Sequence, residues 1–243
     1  MLRRFLPVLS CLLLFSAVNA QRKNAVPFYK AGMAYKQSNN FTAALNSFTK
    51  AVSLDKKFDS AFAEMGNIYS AGGDVDLAIN NYKKTLAINP AFTAALTGMG
   101  KIYRDARQNF DSAIVYYNAA EQLDKTNKET YYALAWIHNA KKDYEKAIPY
   151  AVKSLEIDNT YKPAYGELGH AYRATKNYAG CIEQMKKNLA VSVVDVALLY
   201  SGYCYMELKN KDGAMQQYEA LLKVNEKMAA GLKTKIDAMP AGN

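Results

Sequence analysis

The sequence predicts an all-α fold of stacked helical hairpins, and three periodic series predict it. Asn or Asp recurs at Asn40, Asp74, Asn109, Asp143, Asn177 and Asn210, a nearly constant spacing of about 34 residues. Shortly before each sits a residue with little or no side chain: Gly32, Gly66, Gly100, Ala135, Gly169 and Gly202. One helical turn after five of those comes a tyrosine (Tyr35, Tyr69, Tyr103, Tyr172, Tyr205), with His138 in the sixth place. A period of about 34 residues marks units that bury their apolar faces only by stacking on one another. Such arrays bind more often than they catalyse, so the periodicity indicates a kind of job and not a partner.

The N-terminal segment stands apart from the array. Met1-Leu2-Arg3-Arg4 is a short basic start, Phe5 to Val18 is almost wholly apolar, and Val18-Asn19-Ala20 puts small residues before Gln21. That is the pattern of a secretory signal peptide, residues 1–20. The apolar run is short for a bilayer span, which needs roughly 20 residues. Val8-Leu9-Ser10 is a poor lead-in for lipidation at Cys11. We therefore expect cleavage after Ala20 and export, to the periplasm or outside the cell, with no integral membrane segment after processing; a retained N-terminal anchor is the alternative.

Removing Arg3 and Arg4 lowers the formal charge from +9 to +7. The lysines are spread rather than run together, which describes a solvated surface, and no nucleic-acid partner is expected. Two cysteines, Cys181 and Cys204, remain after processing. They do not make a disulfide framework, although an exported chain can form one bond. The expectation is two small unbonded residues filling packing gaps.

The unit from Asp59 to Phe92 shows the physics of one repeat. Phe62, Met65, Gly66 and Tyr69 fall at i, i+3, i+4 and i+7, the apolar stripe of a helix. Ala71-Gly72-Gly73 breaks that helix. Asp74 follows as an N-cap whose carboxylate can accept the orphan N–H groups of a second helix. Leu77, Ala78, Ile79, Tyr82 and Leu86 give the second helix its buried face, and Asn89-Pro90 ends it. A second small series, Ala44, Ala78, Ala113, Ala147, Cys181 and Ala214, lies one turn after each cap. Two small residues facing each other across a helix pair meet a packing requirement.

These residues resemble the tetratricopeptide repeat, a family of helix–turn–helix units of about 34 residues. The resemblance covers six repeats, 25–58, 59–92, 93–127, 128–161, 162–194 and 195–228. The family's later aromatic appears as Phe48, Tyr82, Tyr117 and Tyr218, but Ala151 and Met185 stand in the fourth and fifth units. The pattern weakens toward the C-terminus. The resemblance implies a right-handed superhelical solenoid whose first helices line a concave groove.

Three irregularities can be located. An extra residue between Gly100 and Asn109 must lengthen the turn of the third hairpin. A missing residue near Val191-Ser192-Val193-Val194 should alter the angle between the last two hairpins. Pro149, well inside the helix that follows Asp143, should kink the second helix of its unit. Beyond the repeats, Met228, Leu232, Ile236 and Met239 form one stripe, so 229–239 is expected to be a capping helix and 240–243 a disordered tail.

Catalysis needs converging groups of matched type, and none can be assembled. His138 occupies a tyrosine place on a buried stripe. Neither histidine has a partner at metal-ligand spacing, and Gly72-Gly73 lacks the Lys-Ser or Lys-Thr of a phosphate loop. We expect no enzyme activity, no metal and no cofactor.

Projecting the family's groove positions onto this chain gives Tyr29, Met33 and Lys36, then Asn67 and Ser70, then Lys101, Arg104 and Asp105. The later units add Tyr132, Trp136 and Asn139, then His170 and Arg173, then Leu199, Tyr203 and Met206. Aromatics beside Arg and Asn suit a peptide-binding surface. The alternative is that Tyr132 and Trp136 pack against neighbouring helices. A subset of the family clamps chaperone carboxylates with a Lys/Asn/Arg set, but several of those places here hold Ala, Gly, Glu or Pro. The leading reading is an exported module that binds an extended peptide or a helix of another protein, with weak self-association allowed for. Two others stand beside it: a structural subunit of a cell-envelope complex held by its convex face or ends, and an accessory binder of anionic partners.

Overall fold

Thirteen α-helices and no strand occur among the described residues, which in this computed structural model are 6–240, with side chains from Arg22 onward. The basic start, the side chains of the apolar run with Cys11, and the tail at 241–243 lie outside them. The chain divides into two compact units, one ending at Leu123 and one beginning at Asp124.

The first unit holds α1 (Leu6–Gln37), α2 (Phe41–Leu54), α3 (Asp59–Gly72), α4 (Val75–Ile88), α5 (Thr93–Asp105) and α6 (Phe110–Leu123). Helix α1 crosses Ala20-Gln21 and Pro27 without a break. No helix among the described residues is long and apolar enough to cross a membrane. Consecutive helices pair as hairpins, α1 with α2, α3 with α4 and α5 with α6. The small series explains the pairing. A Cβ on Gly66 would lie 2.7 Å from the Tyr82 ring, and one on Gly100 would lie 2.9 Å from the Tyr117 ring. Tyr82 also fills the space above Gly98 in the next hairpin, so one ring serves two glycines. Ala44, Ala78 and Ala113 are fully buried opposite them.

The second unit holds α7 (Lys128–Ala140), α8 (Tyr144–Ile157), α9 (Lys162–Ala174), α10 (Tyr178–Leu189), α11 (Asp195–Glu207), α12 (Lys211–Leu222) and α13 (Glu226–Asp237). Its packing follows another rule: Ala151 and Met185 offer no ring to the first helices of their hairpins, and Tyr218 is present in the last hairpin without covering Gly202. The face of Gly169 is covered by Tyr200 of α11, and that of Gly202 by Leu232 of α13. Ala229, Leu232 and Ile236 of α13 are fully buried against α11 and α12, with Met228 and Met239 half-buried beside them.

Cys181 and Cys204 correct one expectation. They form a disulfide, with Cα atoms 6.4 Å apart, that ties α10 to α11. Both side chains are fully buried at that contact, so the two small residues do fill a packing gap, but as a covalent link. It lies where the aromatic of the repeat is missing.

The caps divide by residue type. The side chains of Asn40, Asn109, Asn177 and Asn210 accept from backbone N–H groups in the first turn of the helix that follows, at 2.7–3.1 Å. Asp74 and Asp143 hold the same position but make no side-chain cap bond. For Asp74 this corrects the expected carboxylate cap; its Oδ2 lies back toward Gly72 in the turn. Asp143 turns instead toward His138, 3.6 Å from Nδ1. The residue before each cap is left-handed: Asn39, Gly73, Gln108, Lys142, Lys176 and Lys209, with φ between 50° and 83°.

The long turn of the third hairpin falls where the spacing placed it. The residue missing from the fifth repeat, by contrast, is lost from α10 and not from the valine-rich junction, which is one residue longer than each of the four junctions before it. Four residues (106–109) separate α5 from α6, against three in most other hairpins. Helix α10 has 12 residues where α8 has 14, and five residues (190–194) follow it. Helix α8 continues through the exposed Pro149 to Ile157.

Candidate partner-binding surface

Each small residue turns its face toward a neighbouring helix, so the residue after it is carried about 100° round and away from that contact. That step defines one register: Met33, Asn67 and Lys101 in the first unit, and Trp136, His170 and Tyr203 in the second. One turn on lie Lys36, Ser70 and Arg104, then Asn139, Arg173 and Met206.

In the first unit most of these side chains are engaged. Tyr29 stacks on Phe58 with ring centres 5.0 Å apart and tilts against Phe48 at 5.7 Å. Burial, then the nearby Glu64 and Asp59 carboxylates, raise its phenol pKa. Met33 is half-buried against the same core. Lys36 pairs with Glu64 at 2.5 Å across α1 and α3. Asn67 accepts from the Tyr82 hydroxyl at 2.7 Å and donates to Glu64 at 3.3 Å. Burial pushes the Tyr82 phenol up to about 12, so that hydroxyl stays a donor at any physiological pH. Arg104 forks onto Asp105 at 2.6 and 3.0 Å. Lys101 is exposed. This unit presents a network that already satisfies itself, with Lys101 outside it.

In the second unit α9 packs against both α7 and α11, so Trp136, His170 and Tyr203 share one register on three adjoining helices. Trp136 and Tyr132 are half-buried, and Tyr132 meets Tyr161 edge-on at 5.7 Å. Asn139 is buried and donates to the backbone oxygen and carboxylate of Glu167, at 3.0 and 2.8 Å, holding α7 to α9. His170 is exposed, with the Tyr144 ring edge-on at 5.6 Å. Arg173 pairs with Glu207 at 3.1 Å and places its guanidinium carbon 5.3 Å from the Tyr203 ring centre. Lys235 of α13 places Nζ 4.5 Å from the same ring and 3.4 Å from its hydroxyl. Two cations on one ring, beside an exposed imidazole, can receive carboxylate and carbonyl oxygens while aromatic faces take apolar groups. His138, by contrast, is buried and stacked on Tyr150 at 5.4 Å, and burial lowers its pKa. Among the described residues no group of His, Cys, Asp or Glu is arranged to hold a metal.

Matches to tetratricopeptide-repeat models cover residues 26–58, 63–128, 128–161 and 196–225. The chain belongs to the tetratricopeptide repeat family. Members of the family are typically non-catalytic scaffolds for protein–protein interaction. Solved structures of three such arrays are similar. Pseudomonas aeruginosa PilF matches with a TM-score of 0.65 at 17% identity, over 89% of this chain and 99% of that one. PilW, described as a widely conserved type IV pilus biogenesis factor, gives 0.63 at 19%, over 87% and 98%. YrrB, described as a repeat protein with an unusual peptide-binding site, gives 0.61 at 18%, over 77% and 97%. At these identities the likeness shows the fold. No curated protein matches the sequence.

This tetratricopeptide repeat array also has a polar series that the sequence reading did not pick out. Asp55, Asn89, Asp124 and Asp158 begin the connections between hairpins, and each accepts from a backbone N–H just ahead in its own connection, at 2.9–3.1 Å. Three of them also clasp the first helix of their own hairpin: Arg22 of α1 pairs with Asp55, Asn89 donates to Asp59 at the start of α3, and Lys128 at the start of α7 pairs with Asp158. Their recurrence once per repeat was the available signal. Lys235 and Glu207 carried a weaker one, each lying close to one repeat beyond Tyr203 and Arg173 respectively.

Proposed function

We propose that this chain is an exported binding module that holds an extended peptide or a helix of another envelope protein along its first helices. The observation that supports it best is the shared register of Trp136, His170 and Tyr203 on α7, α9 and α11, with Arg173 and Lys235 beside it. Aromatic and Arg anchors of this kind carry a disproportionate share of interface energy. The peptide site named for YrrB and the pilus role named for PilW show that the same fold serves such tasks elsewhere. Export rests on the leader pattern of residues 1–20. It gains support from the buried Cys181–Cys204 bond, since disulfides persist in oxidising compartments and are rare in the cytosol.

Affinity capture from envelope extract tests the binding role, with wild type and Trp136→Ala as parallel baits. A protein retained by the first and lost from the second supports the reading. Equal retention favours a structural subunit held by another face. Intact mass with a free-thiol count tests the export: the protein should begin at Gln21 and expose no thiol after unfolding. A species that keeps Met1, or carries lipid on Cys11, refutes that part.

A further inference from the structure

We propose that the edge of the second unit formed by the α10–α11 and α12–α13 connections docks on an anionic lipid surface. Four aliphatic side chains stand out there: Val191 and Val193 on the first connection, 77% and 63% exposed, and Leu222 and Val224 on the second, 44% and 51% exposed. Asn225 donates to Asp195 at 2.8 Å, which places the two connections side by side. Asp195 is also bound by Lys162 at 2.8 Å, so its charge is neutralised within the unit.

Cations frame these aliphatics. Lys186 and Lys187 occupy the last turn of α10, Lys223 follows α12, and Lys227 lies in the first turn of α13, all of them exposed. None of the four forms an ion pair among the described residues, and Lys186 only lies near the Tyr205 ring, at 5.8 Å. At the second connection Glu219 and Glu226 match Lys223 and Lys227 in number. At the first, Lys186 and Lys187 stand against Glu183 alone, Asp195 being paired with Lys162, so the excess of positive charge lies on the α10–α11 side.

Composition decides the occupant. Protein interfaces are rich in Tyr, Trp and Arg and poor in Lys. This edge has aliphatics and lysines with no aromatic or arginine in either connection. Aliphatic tips reach the acyl boundary while flexible lysines stay among headgroups, the arrangement of a peripheral membrane contact. No helix among the described residues is long and apolar enough to cross a bilayer, so the contact would be peripheral and reversible. The surface is separate from the register of Trp136, His170 and Tyr203 and leaves that register open to a protein partner.

The test is co-sedimentation with vesicles of phosphatidylcholine mixed with phosphatidylglycerol, and of phosphatidylcholine alone. The protein is used as recovered from its host, and all variants share its N-terminus, so the leader does not enter the comparison. Wild type should bind the anionic vesicles, and added salt should weaken the binding. Lys186→Glu with Lys187→Glu should weaken it by about tenfold or more. Val191→Asp with Val193→Asp should weaken it comparably, and Val115→Asp, on the exposed face of α6, should not. Three results would overturn the proposal: no preference for anionic vesicles, equal loss in the Val115 control, or a loop-dependent dimer in solution without vesicle binding.

Discussion

Gly100 has room for a hydrogen and nothing more, because the Tyr117 ring lies 2.9 Å from where a Cβ would sit. Gly100→Leu must therefore push a buried ring or separate α5 from α6, at a cost of roughly 1–3 kcal/mol or more. Lys83→Ala, at an exposed position, should change stability by less than about half a kcal/mol. Chemical denaturation of both variants checks this, and equal midpoints would contradict the packing described. The left-handed residues before the caps give the opposite kind of prediction. Lys176 holds φ at 56° with a side chain that disfavours it. Lys176→Gly should stabilise the fold by about 0.5–1 kcal/mol, the steric gain exceeding glycine's entropy cost. A lower midpoint in that variant would show that the Lys176 side chain contributes more than its backbone strain removes.

At the scale of elements, the connections between hairpins are clasped by carboxylates whose pKa values lie below normal. At Asp158 the cause is the Lys128 ammonium, then Thr160, and the pKa falls to about 2. At Asp195 burial opposes the change, but bonds from Lys162, Asn225 and the Val196 N–H outweigh it. At Asp59 burial is likewise outweighed, by the Ser60 N–H and hydroxyl, Asn89 and Arg22. A depressed carboxyl contributes stability above its ordinary value near 4 and loses it as pH falls through the folded value. Thermal melts should therefore decline between about pH 4 and pH 2, and Asp158→Asn should shrink that decline. A melting temperature flat across this window would rule out the clasps as stabilising contacts.

These same elements show how much of the fold was legible. The hairpins, their turns and the long α5–α6 connection followed from spacing, because helix period and cap chemistry are local properties. The missing residue was counted correctly but placed in the junction at 191–194 instead of in α10. The disulfide did not follow, since two cysteines at a sequence separation of 23 carry no sign of whether α10 and α11 bring them within bonding distance. Nor did the roles of Tyr200 and Leu232, which cover Gly169 and Gly202 from the next element rather than from the same hairpin. The fifth repeat lacks the aromatic and the sixth keeps Tyr218 yet covers Gly202 with Leu232, so both contacts come from tertiary packing, which a single sequence does not encode as a period. The surface was legible in register only. Asn67 and Asn139 lie at the projected positions, yet their amides serve Tyr82, Glu64 and Glu167.

At the scale of the whole molecule, the array is a scaffold for protein–protein interaction, and the proposed contact uses the outward first-helix positions of the second unit. The most direct measurement is a titration of the captured partner against wild type and Trp136→Ala, with circular dichroism alongside. An aromatic anchor contributing about 2 kcal/mol corresponds to roughly 30-fold in affinity. A loss of that size or more with helicity unchanged is expected. Unchanged affinity in a folded variant would contradict it and place the partner on another face of the repeats.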